Sequence, residues 1–433
     1  MPMDPQGNGA PKANEPSRVI GERDYRVDGQ APAEVRRVAE AAEVAEVLRA
    51  AHAAGQAVIP WGAGSQMSLG APPTRYDIAL DLSNLHHIVE HDAPNLTVTV
   101  DAGARLADVQ TALGRAGQFL PLDPPFPDAT LGGLIATDAS GPWRLGYGTL
   151  RDLVLGVRVV LSDGTALKLG GKTMKNVAGY DLVKLVIGSL GTLGVVTEAT
   201  LRTYARLPAN RTLSIFTYPE PLAAANLTAR ILDLRSGPTA LDIFSSAEGA
   251  YIILARLEGE PEAVAAQARA VEALCQTEYM RRLQMADAED SREVWQAAGA
   301  GGGYWDGPRL SYPVVVRVGV PIAQVGPLLD AVRRVTDEYR LPRLVSLQAG
   351  SGAGRVHLGH LRDAHEPAVL AQAAEAIRAA AQRLGGHMIL EAAPPSVKAL
   401  VSVWGPVAAL DVMTEIKAQF DPAHVLNPGR FVL

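Results

Sequence analysis

The sequence predicts an α+β chain of two domains, and three observations carry that reading. A strand at Ala57–Pro60 delivers a glycine-rich turn, Trp61-Gly-Ala-Gly-Ser-Gln-Met-Ser-Leu-Gly70, with no clear amphipathic helix behind it, which argues against a doubly wound nucleotide fold. Glycines and small residues recur again between Phe126 and Leu201, where a backbone must pass close to something flat. From Arg211 the order strand, helix, strand, strand, helix occurs twice. The expected division is a disordered leader at 1–17, a first domain at 18–207 and a second at 208–433.

The elements follow in order. The leader is rich in Pro, Asn and Gly and lacks the apolar centre of a secretory signal. Glu34–Val38 alternates as a strand. Val44, Val47, Leu48 and Ala51 share one helical face, and Gly55 ends that helix. Strands at Ile78–Leu82 and Leu96–Val100 and a helix at Arg105–Ala116 come after the turn. Gly170-Gly-Lys-Thr173 imitates the end of a P-loop, but Ala166 stands where that motif needs glycine, so a hairpin turn is expected there.

In the second half, strands are expected at Thr212–Phe216, Ala240–Phe244 and Ala250–Leu257, with helices at Leu222–Leu234 and Pro261–Cys275. The repeat brings strands at Val314–Val320, Arg343–Gln348 and Arg355–Gly359, with helices at Ala323–Tyr339 and Glu366–Leu384. Twice over, this is the order of a ferredoxin-like unit.

Composition sets bounds on function. The 433 residues are 48% apolar and 20% charged, ordinary for a globular protein, and can fill two sizeable cores. A net charge of −6 gives no electrostatic case for nucleic acid. The apolar runs are too short or too interrupted for a transmembrane segment, so a cytoplasmic protein is expected. Cys275 is the single cysteine, which excludes an internal disulfide and any iron–sulfur cluster built by this chain alone.

The turn at Pro60–Gly70, Thr130-Leu-Gly-Gly133, Arg151-Asp-Leu-Val-Leu-Gly-Val157, Gly179-Tyr-Asp181 and Gly188-Ser-Leu-Gly-Thr-Leu-Gly-Val195 occur together in this order. That combination resembles the FAD-binding domain of the vanillyl-alcohol-oxidase and p-cresol-methylhydroxylase (PCMH) type. The segment Ile416-Lys-Ala-Gln-Phe-Asp-Pro-Ala-His-Val-Leu-Asn-Pro-Gly-Arg-Phe431 is similar to the close of D-2-hydroxyacid oxidoreductases of that superfamily. Lys175-Asn-Val-Ala-Gly-Tyr-Asp181 and Ala349-Gly-Ser-Gly-Ala-Gly354 narrow the resemblance to FAD-binding subunits of glycolate oxidase.

The resemblance implies a PCMH-type FAD-binding domain of two subdomains, a ferredoxin-like cap, and a C-terminal segment returning to the flavin. It puts Trp61, Gly62, Ala63, Gly64, Ser65, Gln66 and Leu69 against the FAD pyrophosphate, and Thr130, Gly132, Gly133 and Ser140 along the ribityl and pyrophosphate region. Gly191, Gly194 and Val195 fall near the adenine or ribityl end, and Asn427 and Gly429 approach the isoalloxazine. Gln66 and Met67 stand where some relatives attach flavin through histidine, so FAD is expected to be non-covalent. The implied partners are a paralogous FAD-binding catalytic subunit and an iron–sulfur subunit, able to hold the chain at the inner face of a membrane. The implied substrate is a small 2-hydroxy acid.

The cap departs from the metal-dependent relatives. Gln348-Ala-Gly-Ser-Gly-Ala353 replaces their His-x-Gly-Asp-Gly-Asn-x-His segment, and His357, His360 and His387 are wrongly spaced, so no metal site is expected. Leu190 replaces a usual glutamate. Arg317, inside the apolar run Val314–Pro321, is either an exposed or edge position or a clamp for a substrate carboxylate. Tyr304 and Trp305 flank a glycine run and read as a loop anchor.

Overall fold

A computed structural model describes residues 23–432 except 174–179, 246–248, 277–279, 300–304, 307–308, 311–312, 361–362 and 364. The leader, Lys175–Gly179, the glycine run with Tyr304 and the Trp305 side chain lie outside the described residues.

The first subdomain is a parallel sheet of Glu34–Arg37, Ile78–Asp81 and Val58–Trp61, in that spatial order. Helix Ala41–Ala54 covers it with the face predicted from its spacing, burying Val44, Leu48 and Ala51, and stops where Gly55 turns left-handed at φ 65°. The C-terminal segment returns here. Leu426 bridges to Val58 in parallel, and Val425 and Leu426 join the same apolar core.

The second subdomain is an antiparallel sheet ordered Ile88–Asp92, Thr97–Asp101, Val195–Arg202, Val154–Val160, Ala166–Gly170. Its first strand is an exposed edge that the sequence reading left out. The hairpin turn expected at Gly170–Thr173 is instead Leu161–Thr165, closed by the Leu161 amide on the Thr165 carbonyl at 2.9 Å. Gly170 ends the returning strand, where a Cβ would lie 2.3 Å from the Leu155 carbonyl oxygen.

The cap is one eight-stranded antiparallel sheet. Its first half runs Met280–Asp287, Ala209–Thr217, Tyr251–Gly259, Ala240–Ser245; its second runs Arg343–Gln348, Ala353–Leu358, Val314–Gly319, His387–Ala392. Each half is a ferredoxin-like unit, and the two meet edge to edge where Asp242–Phe244 pairs with Gln348–Ser346. The closing strand of each unit was not read from the sequence. Helices Pro221–Leu232, Pro261–Leu274, Val325–Glu338 and Pro367–Arg383 bury their apolar faces in a core shared by both halves. Among the described residues no helix is long and apolar enough to cross a membrane.

Candidate active site

The glycine turn after Val58–Trp61 is held from behind. Trp61 donates its indole N–H to the Tyr76 hydroxyl at 2.6 Å and lies edge-on to Tyr25, centroids 5.2 Å apart. Gly64 takes φ +79°, and a Cβ there would meet the Trp61 ring at 2.8 Å, so only glycine fits. The oxygens of the turn are drawn to buried cations: Arg430 Nη2 donates to the Met67 and Leu69 carbonyls at 2.6 and 2.5 Å, and Lys398 Nζ to those of Ser68 and Gly70 at 2.7 and 2.9 Å. Asp28 neutralises both, 2.8 Å from Lys398 and 3.3 Å from Arg430. Burial pulls the Arg430 guanidinium down to about 10 and lowers Lys398, with Asp28 opposing in each case. The amides of Gly62, Ala63, Gly64, Ser65 and Gln66 donate to nothing within the described residues. A row of free N–H groups backed by captured carbonyls suits an anionic ligand.

The facing wall is helix Leu131–Thr137. Thr130 caps it by accepting from the Gly133 amide at 3.3 Å, and Gly62 passes so close that a Cβ would sit 2.1 Å from Thr130 Oγ1. Thr137 donates to Gln66 Oε1 at 2.5 Å, while Gln66 Nε2 is buried with no partner among the described residues. The third wall joins two left-handed residues, Leu190 and Asn427, whose Nδ2 donates to the Leu190 carbonyl at 2.5 Å. Lys417 anchors this wall through the Thr192 and Leu426 carbonyls at 2.8 and 3.0 Å and through Asp421 at 2.5 Å. The three walls line an open cleft.

Of the residues singled out from the sequence, Gly62, Ala63, Gly64, Ser65, Gln66, Leu69, Thr130, Gly133 and Asn427 line this cleft. Gly191 stands beside it at φ +69°, with Asn427 Nδ2 3.3 Å and Pro60 3.5 Å from where its Cβ would be. The others sit in the surrounding packing. Trp61 is 3% exposed. Gly132 lies against Ala102 and Gly194 against Val159, their missing Cβ atoms 2.7 and 2.3 Å from those side chains. Val195 is in the core, Ser140 accepts from the Leu150 amide at 3.2 Å, and Gly429 packs on Thr74. Met67, Ala136, Thr137, Leu190 and Arg430 also line the cleft and were not assigned to it from the sequence.

Arg317 is neither exposed nor on an edge. Its strand lies between Ala353–Leu358 and His387–Ala392, and its Nε bonds Glu391 at 3.2 Å, where Arg355 also binds at 2.9 Å. Arg317 Nη2 is buried without a partner among the described residues. Arg355 lies 5.4 Å from the Phe126 ring of the first domain, so this sheet face is turned toward that domain. Although burial raises it, the Glu391 carboxyl is held down at about 2 by Arg355 and Arg317, and burial with Arg355 lowers His357 to about 4. His387 is exposed on the outermost strand. Among the described residues no group of three or more His, Cys, Asp or Glu could hold a metal ion.

The cleft thus lies on a two-subdomain first domain beneath a cap whose sheet face turns toward it, and the comparisons with known proteins assign this arrangement. Residues 32–170 match the FAD binding domain family and residues 207–431 match the FAD linked oxidases, C-terminal domain. The chain belongs to the FAD-linked oxidases. It is 28% identical over 399 residues to the glycolate oxidase subunit GlcD of Bacillus subtilis, covering 86% of this chain and 83% of the relative. It is 29% identical to a D-lactate dehydrogenase of Archaeoglobus fulgidus, over 94% of this chain and 95% of the relative. It is also 42% identical to the glycolate oxidase subunit GlcE of Escherichia coli, over 35% of this chain and 43% of that one. A solved alkyldihydroxyacetonephosphate synthase shares the fold, with a TM-score of 0.69 at 19% identity over 92% of this chain and 77% of the synthase. The chain is therefore an FAD-linked oxidoreductase. The free amides of Gly62–Gln66 and the Gln66 Nε2, unpartnered among the described residues, fit the narrow, anionic middle of that cofactor.

Proposed function

We propose that this chain is the FAD-binding subunit of a glycolate oxidase complex, serving the oxidation of glycolate or a related D-2-hydroxy acid to the 2-oxo acid. One observation carries the subunit reading: among the described residues the cap offers no metal-ligand set, and the buried Glu391 is engaged with Arg317 and Arg355. The 42% identity to a GlcE subunit supports the same reading. A paralogous FAD-binding catalytic subunit and an iron–sulfur subunit would be its partners.

Bound FAD supplies a two-electron acceptor for a carbon–hydrogen bond. The chain's own residues bind and orient. Free amides from Gly62 to Gln66 receive the pyrophosphate, Gln66 Nε2 and Thr130 hold the neighbouring polar chain, and the Asn427–Leu190 wall fixes the ring end. Among the described residues lining the cleft there is no histidine or cysteine, which supports FAD held without a covalent bond. Gly132, Gly194, Val195, Trp61, Ser140 and Gly429 support these contacts by packing. Arg317, whose Nη2 has no partner among the described residues, presents a donor for a substrate carboxylate.

The test is the visible spectrum of the purified chain before and after anaerobic glycolate, alone and with copurifying partners. A flavin spectrum that bleaches only with partners is the expected result. Bleaching in the isolated chain would instead identify a self-sufficient D-2-hydroxyacid dehydrogenase. A chain that stays colourless after added FAD would be a structural subunit, and the reading would fail.

A further inference from the structure

The two ends of the cap sheet are finished differently. At one end strand His387–Ala392 is sealed by the chain itself: the Leu390 amide donates to the Val403 carbonyl at 2.8 Å, and Met388, Leu390, Glu391 and Ala392 are buried. At the other end the closing strand of the first unit, Met280–Asp287, pairs with Ala209–Thr217 on one side only and has no buried side chain. Among the described residues none of its backbone groups is hydrogen-bonded outside that ladder. An open edge of eight residues is a template for a further strand, and folded chains normally shorten or cover such edges.

The order of its side chains says which strand. Alternation puts Arg281, Leu283, Met285 and Asp287 on one face, where Leu283 and Met285 stand opposite the core residues Ile215 and Leu213. Leu283 is only partly covered by that core and Met285 is half exposed, so the core frays at this edge. Along the face the residues run cation, apolar, apolar, anion. Turned antiparallel on itself about Gln284, this series meets its own complement: Arg281 falls opposite Asp287 of the second copy and Leu283 opposite Met285, and both pairs recur by symmetry. On the other face Gln284 meets Gln284, two amides able to bond each other. Both charged groups can take a further partner. Arg281 lies over the Tyr218 ring at 5.4 Å with no ion pair among the described residues, and the Asp287 carboxylate, held by Arg211 at 2.5 and 3.1 Å, stays mostly exposed.

We propose that two copies of this chain join through Met280–Asp287, antiparallel about a twofold axis at Gln284, so that one sheet runs on through both caps. The occupant of the edge is a second copy because the strand carries both halves of the match, each charge and each apolar residue finding its counterpart in the same sequence. The contact is one strand wide, so the pair is weak and forms as concentration rises.

The experiment is sedimentation velocity of the FAD-loaded full-length chain over about a hundredfold range of concentration, in which the wild type should pass from monomer to dimer. Arg281→Asp and Asp287→Arg each set two like-charge pairs face to face, and each should raise the dissociation constant by about tenfold or more. An equimolar mixture of the two variants should restore it, because every pair in the mixed dimer is again of opposite charge. Retained flavin absorbance reports that each variant is folded. Cys275 is buried, so Gln284→Cys should link two copies under mild oxidation, while Arg282→Cys, away from the axis, should not. A wild type that stays monomeric throughout the range, or a mixture that associates no better than its components, would overturn the proposal. So would an edge that takes up only a copurifying subunit of another kind.

Discussion

Lys398 sets its ammonium group 2.8 Å from the carboxylate of Asp28, at a sequence separation of 370 residues, and the side chains are 0% and 4% exposed. The pair lies directly behind the glycine turn, whose Ser68 and Gly70 carbonyls complete the shell around the ammonium. Among the described residues, Lys398→Met leaves the Asp28 carboxylate with only the 3.3 Å contact to Arg430. The expected loss is about 3 kcal/mol of stability, since a buried charge is stranded. Urea unfolding checks this, and the double variant with Asp28→Asn should recover part of the loss.

The close passage of Gly62 over Thr130 gives a second test. Gly62→Ala forces a methyl group toward Thr130 Oγ1, which a Cβ would approach to 2.1 Å. FAD affinity should fall by about tenfold or more, with loss of the Thr130 cap costing about 1 kcal/mol of stability. Combining it with Thr130→Ala removes the obstructing oxygen, so the two changes should be less than additive in a flavin-fluorescence titration.

Asn427 does two things at once: it accepts φ 46° and donates to Leu190. Asn427→Gly preserves the first and loses the second, while Asn427→Ala loses both. FAD should bind more weakly to each, and thermal unfolding should rank Ala below Gly by about 1 kcal/mol.

Arg256 joins the domains. Its guanidinium lies 4.5 Å from the Trp143 ring, 4.4 Å from the Trp295 ring and 3.1 Å from Asp123, whose carboxyl is raised by burial and lowered by this arginine. Arg256→Met should cost about 3 kcal/mol and shift tryptophan fluorescence, because a buried carboxyl loses its counter-charge and two rings lose a cation.

Acid should loosen the cap in two stages. His357 is neutral in the folded chain down to about pH 4, while the unfolded chain protonates near its ordinary value of 6.5, so the unfolded state binds the extra proton and stability falls between those values. Glu391, ionised down to about 2 against an ordinary 4.5, removes more between those two values. His357→Gln should flatten the upper stage in urea titrations taken from pH 7 to 4, and the wild-type fall there should be about 3 kcal/mol.

Much of this was legible because local pattern carried it. The spacing of Val44, Leu48 and Ala51 is that of one helical face, and the doubled strand and helix order announced the two cap units. Strand Met280–Asp287 escaped because, as an edge strand with mostly exposed side chains, it shows no apolar alternation. The joining of the units through Asp242–Phe244 and Gln348–Ser346 is a long-range backbone pairing that leaves no local trace. The glycines of the turn were readable, but what fixes their carbonyls was not. Asp28, Lys398 and Arg430 look like surface charges in the sequence, and only tertiary contact reveals that they are buried together.

The wall that closes the cleft is translated long after the turn it closes upon. Arg430 reaches back 363 residues to Met67, and Asn427 reaches back 237 to Leu190. On the ribosome, the turn and helix Leu131–Thr137 exist for most of synthesis as an open half-cradle. Capture of the coenzyme is therefore a late step in the life of the nascent chain, and a chain released at residue 424 should emerge without colour, however much FAD surrounds it.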